Sequence, residues 1–195
     1  MVTDSEYHSH SNKIAGSVEL ICGCMFSGKT EELLRRLRRA IIANQKVEIF
    51  KPVLDDRYHN ENIVSHDDNA IRSTPVQFAN DIMLLSENSQ VIGIDEAQFF
   101  DNEIANVANK LAAKNKRVIL AGLDMDFLGK PFFPTAELMS IAEFVTKMHA
   151  VCVKCGNLAS YSYRIADSED KVLLGETDIY EARCRSCFNE GMKIK

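Results

Sequence analysis

An eight-residue loop motif near the amino terminus constrains this chain more than any other feature. Residues 23–30 read GCMFSGKT and match the pattern GxxxxGK[ST], directly after the apolar run VELIC and directly before an amphipathic segment. The glycines of such a motif let the loop curl with its amides pointing inward, and the following helix adds the positive end of its dipole. The lysine reaches the outer phosphates of a nucleotide, and the last hydroxyl ligates Mg²⁺. The predicted phosphate site comprises Gly23, Met25, Phe26, Ser27, Gly28, Lys29 and Thr30.

Short apolar runs recur along the chain and predict a parallel β-sheet. They are rich in Val and Ile, are bounded by Gly, Asp or Lys, and read SVELIC, KVEIF, VIGID and RVILAGLD. Near-continuous apolar strands of this kind suit a parallel sheet that is covered on both faces. Helical patterns alternate with the runs, so the sequence predicts an α/β fold with right-handed crossovers.

Two amphipathic segments predict helices that cover this sheet. In the first, EELLRRLRRAIIANQ, the apolar face that we expect to be buried comprises Leu33, Leu34, Leu37, Ile41 and Ile42. The arginines lie largely around the opposite face and are expected to be solvated: Arg35, Arg36, Arg38 and Arg39. In the second, NEIANVANKLAAKN, the residues expected to face inward are Ile104, Val107, Ala108 and Leu111.

Two consecutive acids follow the apolar run VIGI. Asp95 comes 65 residues after Thr30, and Glu96 is the next residue. An acid at the carboxyl end of a parallel strand lies at the sheet edge where ligands bind in open α/β folds. Asp95 is therefore predicted to hold Mg²⁺ with Thr30, and Glu96 to accept a proton from the group that attacks the terminal phosphate. Without the neighbouring loop motif, two solvated acids at the end of a strand would be the simpler interpretation.

Four of the six cysteines form two CxxC pairs towards the carboxyl terminus. Cys152 pairs with Cys155 and Cys184 with Cys187, and 28 residues separate the pairs. Two such pairs can present four thiolates to one tetrahedral Zn²⁺, and the long interval predicts a loop or hairpin rooted at the metal. Redox chemistry is the competing interpretation. The two cysteines left over are expected to be small packed thiols: Cys22 and Cys24.

Composition narrows the function classes. The 195 residues are 46% hydrophobic and 26% charged, which is ordinary for a folded chain with one core and an appendage. With 23 basic and 28 acidic residues, the formal charge of −5 argues against nucleic acid as a partner. No apolar run approaches the length that spans a membrane, so no membrane partner is expected. The polar start lacks the features of a secretory signal, which predicts a cytoplasmic protein with reduced thiols.

A change in composition near residue 150 predicts two structural units. Residues 1–16 are polar, show no hydrophobic period and are expected to form a flexible leader. Residues 17–149 carry the apolar runs and are predicted to form a nucleotide-binding α/β domain. Residues 150–195 carry the CxxC pairs and are predicted to form a smaller zinc-binding domain.

Several unrelated motifs, in order, resemble those of one enzyme family. GCMFSGKTEELLRR, DEAQFF, GLDMDFLGKPF and the CxxC pairs around YSYR and GETDIY are similar to thymidine kinases of the zinc-bearing, P-loop type. The resemblance implies a RecA-like P-loop NTPase core with a zinc-anchored lid called the lasso. It also implies Mg²⁺-assisted phosphoryl transfer from ATP to the 5′-hydroxyl of thymidine or deoxyuridine, a homotetramer, and feedback inhibition by thymidine triphosphate.

The resemblance also implies roles for individual residues. Glu96 matches the catalytic base, and Lys29, Thr30 and Asp95 match the set that holds phosphate and Mg²⁺. The positions that match the nucleoside pocket are Met25, Gln98, Phe99, Leu123, Phe127, Phe132, Ser162, Gly175 and Tyr180. The segment LDDRY matches one near the sugar and the phosphates, with Asp55 on the substrate side and Arg57 on the phosphate side.

The chain departs from the family pattern at three places. Cys24 stands where Pro is frequent, Ser162 where Thr is frequent, and Glu176 where a second Gly often follows Gly175. None of these changes removes a catalytic group, and Ser162 keeps a hydroxyl.

Two other function classes stay open on the residues alone. The segment DEAQ is similar to a helicase motif, but a nucleic-acid motor normally needs a second nucleotide-binding lobe and basic tracks, which an acidic chain of 195 residues does not supply. The other class is a zinc-stabilised binding module that holds ATP as a structural ligand. Stimulation of ATP turnover by a nucleoside, by a polynucleotide or by neither separates the three classes.

Overall fold

Strands and helices alternate along the protein, whose computed structural model describes residues 15–53, 62–63, 71–165 and 179–194. The helices in these ranges are α1 (Lys29–Ile42), α2 (Ala79–Leu85), α3 (Ile104–Ala113), α4 (Phe133–Ile141) and α5 (Arg185–Ile194), with one 3₁₀ turn (Ala97–Phe99). The first eight strands are β1 (Ser17–Gly23), β2 (Val47–Pro52), β3 (Asn62–Ile63), β4 (Ile71–Arg72), β5 (Thr74–Val76), β6 (Val91–Ile94), β7 (Arg117–Leu123) and β8 (Phe144–Met148). The last four are β9 (Ala150–Val151), β10 (Leu158–Ala159), β11 (Tyr161–Arg164) and β12 (Tyr180–Arg183). None of the helices described here has both the length and the apolar character that crossing a membrane requires.

Six strands form the central sheet in the order β5-β2-β6-β7-β1-β8. Every neighbouring pair in this sheet is parallel. The four apolar runs of the sequence form β2, β6, β7 and β1, which are consecutive in the sheet, so the predicted parallel α/β core is confirmed. Because the strands are parallel, the loop after β1 and the acids after β6 emerge at the same edge.

Apolar side chains cover both faces of the sheet. Along β1 they alternate, so that Leu20 belongs to the cluster that contains α3 residues and Ile21 to the cluster that contains α1 residues. Both are fully buried. The four inward positions predicted for α3 are likewise at most 1% exposed, which confirms that helix face.

The face predicted for α1 is correct at its three leucines and wrong at its end. Ile41 is 46% exposed and Ile42 is 80% exposed, although Ala40 beside them is buried. Position 42 lies about 180° around the helix from Leu33, which places it on the outer face. Arg36, predicted to be solvated, is buried instead. Its Nη1 donates to the buried Glu19 carboxylate across 2.7 Å, which supplies the partner that a buried guanidinium requires.

The elements β9 to β12 and α5 are here called the C-terminal unit. They form two antiparallel pairs, β9 with β10 and β11 with β12. Tyr161 on β11 stacks on Phe188 of α5 with ring centroids 4.4 Å apart. The antiparallel β11–β12 pair lies in the interval between the two CxxC pairs, for which a loop or hairpin was predicted. The exact domain limits at residues 16 and 149 remain predictions.

Candidate active site

The loop from β1 to α1 is shaped by two glycines. Gly23 has φ 150°, and a Cβ placed there would lie 2.3 Å from the backbone oxygen of Met148 on β8. Gly28, just before α1, has φ 81°. Both positions therefore demand glycine, one for close backbone approach and one for left-handed backbone geometry.

Side chains of the loop converge on its own backbone. The Lys29 ammonium donates to the carbonyl oxygen of Cys24 across 2.8 Å, and the Ser27 hydroxyl donates to the same oxygen across 2.8 Å. Ser27 is buried, whereas Phe26 at the tip has φ 63° and is 46% exposed. The Lys29 ammonium is thus held against the backbone of the loop that the motif assigns to phosphate binding.

Asp95 lies beside Thr30 at the carboxyl edge of the sheet. The Thr30 hydroxyl is 3.2 Å from Asp95 Oδ2, and Asp95 Oδ1 accepts a hydrogen bond from the Glu96 amide across 2.9 Å. Burial, reinforced by the nearby Glu96 charge, raises the pKa of Asp95 to about 7. A buried carboxylate oxygen next to a hydroxyl oxygen is the donor set that Mg²⁺ prefers, and a bound cation would favour the ionised carboxylate.

Glu96 is held in an unusual backbone conformation at the start of the 3₁₀ turn. Its φ of 53° and ψ of 40° lie in the left-handed region, which is rare for a residue with a side chain. Its Oε2 accepts a hydrogen bond from Gln98 Nε2 across 2.5 Å. Gln98 is itself buried, and its Oε1 accepts from the Leu123 amide at the end of β7 across 2.8 Å. Gln98, on the 3₁₀ turn, therefore links the Glu96 carboxylate to the Leu123 amide at the end of β7.

Aromatic and polar side chains beyond this edge connect to the C-terminal unit. Phe99 meets Phe132 edge to face with ring centroids 6.1 Å apart. Ser162 on β11 is buried, and its Oγ accepts a hydrogen bond from the Met25 amide across 3.0 Å. The structure thus brings most of the predicted nucleoside positions to the carboxyl edge of the sheet and to β11 and β12.

Arg164 is a residue that the sequence prediction missed. It is only 2% exposed, and its guanidinium lies 3.6 Å from the centroid of the Phe127 ring. Its Nη2 also donates to the Tyr180 hydroxyl across 2.8 Å. The residue lies two positions after Ser162 on the same strand, which is the sequence signal that was available. Arg164 therefore joins Phe127 to Tyr180, two of the predicted nucleoside positions.

A second missed feature is an ion pair at the ends of β7 and β8. The Lys147 ammonium lies 2.8 Å from Asp124 Oδ2, and the Asp124 side chain is only 5% exposed. Asp124 directly follows Leu123, and its backbone oxygen accepts from the Phe132 amide across 3.0 Å. The pair therefore anchors the loop that carries Phe127 and Phe132.

The two CxxC pairs come together in the C-terminal unit. One sulfur atom from each of Cys152, Cys155, Cys184 and Cys187 lies within 4.8 Å of the other three. Burial raises the pKa of Cys152, but surrounding backbone amides outweigh it and lower that pKa to about 6. The sulfur atoms of Cys155 and Cys184 raise the pKa of Cys187 to about 12. Four sulfur atoms this close together fit a cation that would stabilise four thiolates, as Zn²⁺ does.

Three predicted site positions lie outside the described residues: Asp55, Arg57 and Gly175. Most of the predicted leader lies outside them as well.

Comparison with known proteins decides the family. The family model described as Thymidine kinase matches residues 16–188. A curated thymidine kinase from Rhodothermus sp. (strain ITI 518) is 56% identical over 173 residues, which cover 89% of this chain and 81% of the relative. The chain belongs to the thymidine kinase family. A curated thymidine kinase from Bacteroides fragilis (strain YCH46) is 52% identical over 99% of this chain and 97% of the relative. A curated thymidine kinase from Porphyromonas gingivalis (strain ATCC BAA-308 / W83) is 56% identical over 94% of this chain and 90% of the relative.

Membership of the thymidine kinase family makes the protein an enzyme, a kinase within the transferases. The resemblance drawn from the loop, the acid pair and the cysteines is thereby confirmed. The family match also extends through Cys187, so it includes both CxxC pairs and the sheet.

Proposed function

We propose that this thymidine kinase transfers the terminal phosphoryl group of ATP to the 5′-hydroxyl of thymidine, with deoxyuridine as a second acceptor. The observation that carries the proposal is the meeting of two pairs at one edge of the parallel sheet. Thr30 lies beside Asp95, and Glu96 is held by Gln98, directly next to the phosphate loop. Thr30 and Asp95 suit the binding of Mg-ATP, the phosphoryl donor. Glu96 and Gln98 suit a hydroxyl acceptor whose proton must be removed.

On the donor side, loop amides and Lys29 bind the phosphates of ATP. Thr30 and Asp95 would hold Mg²⁺, which when bound would neutralise charge on the phosphates. Arg57 is assigned to the phosphates and Asp55 to the sugar side by resemblance alone. Positioning and charge stabilisation supply most of the rate enhancement in this type of reaction.

On the acceptor side, Glu96 takes the proton of the 5′-hydroxyl as the new bond to phosphorus forms. A nucleoside hydroxyl is barely acidic, so a carboxylate within hydrogen-bond reach lowers the barrier. Gln98 donates to one oxygen of Glu96 and so leaves the other oxygen for the hydroxyl. Gln98 acts as a positioning residue for this base.

The thymine base is proposed to lie among apolar side chains and the C-terminal unit. In this proposal Phe99 and Phe132 form one wall, and the Arg164 guanidinium packs against the Phe127 ring. The full proposed nucleoside set is Met25, Asp55, Gln98, Phe99, Leu123, Phe127, Phe132, Ser162, Gly175 and Tyr180. Closure of such a site excludes water, which would otherwise compete with the nucleoside as acceptor.

Structural Zn²⁺ is proposed at the four clustered cysteines. Their sulfur atoms lie close enough to share one ion, and an all-thiolate set is typical of structural zinc sites. Because Cys152 and Cys155 lie between β9 and β10, and Cys184 and Cys187 lie at the junction of β12 and α5, the ion would hold these parts of the C-terminal unit together.

Thymidine triphosphate is proposed to inhibit the enzyme by bridging both parts of the site. Its base would occupy the nucleoside pocket beside Phe99, and its phosphates would extend into the loop at Gly28 and Lys29. Joining the two fragments in one molecule avoids a second loss of translational freedom, so it binds more tightly than thymidine. A homotetrameric assembly and a cytoplasmic location complete the proposal and rest on resemblance and composition.

A nucleoside panel with γ-labelled ATP tests the proposed function. We expect label in thymidine monophosphate, weaker labelling of deoxyuridine, and ADP release that depends on the nucleoside. ADP release stimulated by a polynucleotide would favour a motor instead, and the absence of turnover would favour a binding module.

A further inference from the structure

Cys24 occupies a position that the proposed reaction does not explain. It belongs to the phosphate loop, yet it is only 1% exposed and packs in one apolar cluster with residues of the C-terminal unit. That cluster also contains two proposed zinc ligands, Cys152 and Cys184. A side chain of the nucleotide loop thus forms part of the core around the cysteine site.

Hydrogen bonds connect the same two regions. The Cys24 thiol donates to the carbonyl oxygen of Ala159 on β10, with 3.4 Å between sulfur and oxygen. One residue further, the Met25 amide donates to Ser162 Oγ on β11. Two successive loop residues are therefore tied to two successive strands of the C-terminal unit.

The backbone of Cys24 also holds the charged side chain of the loop in place. Its carbonyl oxygen accepts hydrogen bonds from the Lys29 ammonium and the Ser27 hydroxyl, each across 2.8 Å. Any displacement of Cys24 moves the acceptor of Lys29. Cys24 thus contacts both the C-terminal unit and the residue proposed to bind phosphate.

We propose that Cys24 and Ser162 couple the four-cysteine site to the phosphate loop, so that zinc binding raises the affinity of the loop for ATP. Zinc fixes the cluster around Cys152 and Cys184, the cluster fixes Cys24, and Cys24 together with the Ser162 hydroxyl fixes the loop in its binding conformation. This inference rests on the proposed function, namely ATP at the loop and zinc at the cysteines. Both residues are positioning residues in this scheme.

Coupling of this kind has a measurable size and is reciprocal. Coupling free energies between two sites typically change an affinity by about 5- to 150-fold. We therefore expect the Kd for Mg-ATP to rise by at least about 5-fold when zinc is removed from the wild-type protein. Saturating Mg-ATP must raise the zinc affinity by the same factor, because linkage between two binding equilibria is symmetric.

The test is calorimetric titration of full-length protein with Mg-ATP in zinc-loaded and zinc-free forms, with reductant present. The variants are Cys24→Ala with Ser162→Ala, and Cys24→Ser with Ser162→Thr, which restores a donor and an acceptor. The matched control is Cys22→Ala. Cys22 is also a buried thiol and lies two residues before Cys24, but it belongs to a different apolar cluster, which contains none of the proposed zinc ligands. A second readout is zinc affinity, measured by competition with a chromophoric chelator, with and without Mg-ATP.

The measured quantity is the Kd for Mg-ATP of the zinc-free form divided by that of the zinc-loaded form. We expect this ratio to be at least about 5 in the wild type and in the Cys22→Ala control. It should be near 1 in the double alanine variant and should recover in part in the restoring variant. A wild-type ratio of 1, or an unchanged ratio in the double alanine variant, would overturn it while ATP binding itself stood. If the zinc-loaded wild type did not bind Mg-ATP, both the coupling and the proposed function would be wrong.

Discussion

Gln98 holds Glu96 and β7 at the same time. Its Nε2 donates to Glu96 Oε2 across 2.5 Å while its Oε1 accepts from the Leu123 amide across 2.8 Å. A Cβ added to Gly122, also on β7, would lie 2.9 Å from the Gln98 Oε1, so the amide also fills the space left by that glycine. The proposed base is therefore oriented by a buried amide that has little freedom to move.

Replacing this amide by a carboxylate should impair the base without changing the shape of the site. In Gln98→Glu the side chain still accepts from Leu123, but it no longer donates to Glu96 and places a like charge beside it. We expect kcat to fall by about 10²-fold from misplacement of the base, and the acid limb of the kcat profile to move to higher pH. Steady-state kinetics from pH 5 to 9 measure both effects. An unchanged kcat and pH profile would show that Gln98 does not position the base.

Asp95→Asn should increase stability while removing turnover. The pKa of Asp95 is raised to about 7 in the folded protein, so the ionised form costs stability as the pH rises from about 4 through 7. Without Mg²⁺ or nucleotide, we expect the variant to be more stable than the wild type at pH 8 by about 2 to 4 kcal/mol, with the difference vanishing near pH 4. Urea unfolding at the two pH values measures this. A destabilised variant at pH 8 would contradict the buried-charge explanation.

Cys184→Ser should remove zinc and disorder the C-terminal unit before the sheet unfolds. The parallel sheet has its own apolar core on both faces, so it does not depend on the metal. Three of the five tyrosines lie on β11 and β12, and the chain has no Trp, so near-ultraviolet circular dichroism follows that unit. We expect this signal to fall while the far-ultraviolet helix signal persists. Cys22→Ala, as a control, should keep one zinc ion per chain by elemental analysis.

Absence of zinc from the wild-type protein would contradict this account of the cysteines. Global unfolding of the Cys184→Ser variant would show that the sheet and the C-terminal unit form one cooperative unit.

Local sequence signals predicted the sheet, the phosphate loop and the cysteine cluster because each depends on residues that are close in the chain or on a regular period. The burial of Arg36 was not predictable in this way, since two of its partners, Glu19 and Thr146, come from strands elsewhere in the sequence. The same holds for the contact between Met25 and Ser162, which are 137 residues apart. The first set of contacts depends on how α1 packs on the sheet, and the second on how the C-terminal unit packs against its edge.

Thymidine triphosphate should compete with thymidine and depend on the loop lysine. If one molecule fills both the nucleoside pocket and the phosphate loop, Lys29→Ala weakens its binding much more than that of thymidine, which does not reach the loop. Inhibition kinetics and direct titration with both ligands measure the two effects. Equal binding of thymidine triphosphate with and without Lys29, or no inhibition at saturation, would contradict the bridging arrangement.

The most direct test of the proposed chemistry is a single-turnover measurement on Glu96→Gln. The substitution keeps the shape of the side chain and removes its ability to accept a proton. Base catalysis is typically worth about 10² to 10⁴ in rate. With γ-labelled ATP and zinc-loaded enzyme, we expect transfer of label to thymidine to slow by at least about 10²-fold, while the Kd values for thymidine and Mg-ATP change only a few-fold. Transfer at the wild-type rate would contradict the assignment of Glu96 as the base.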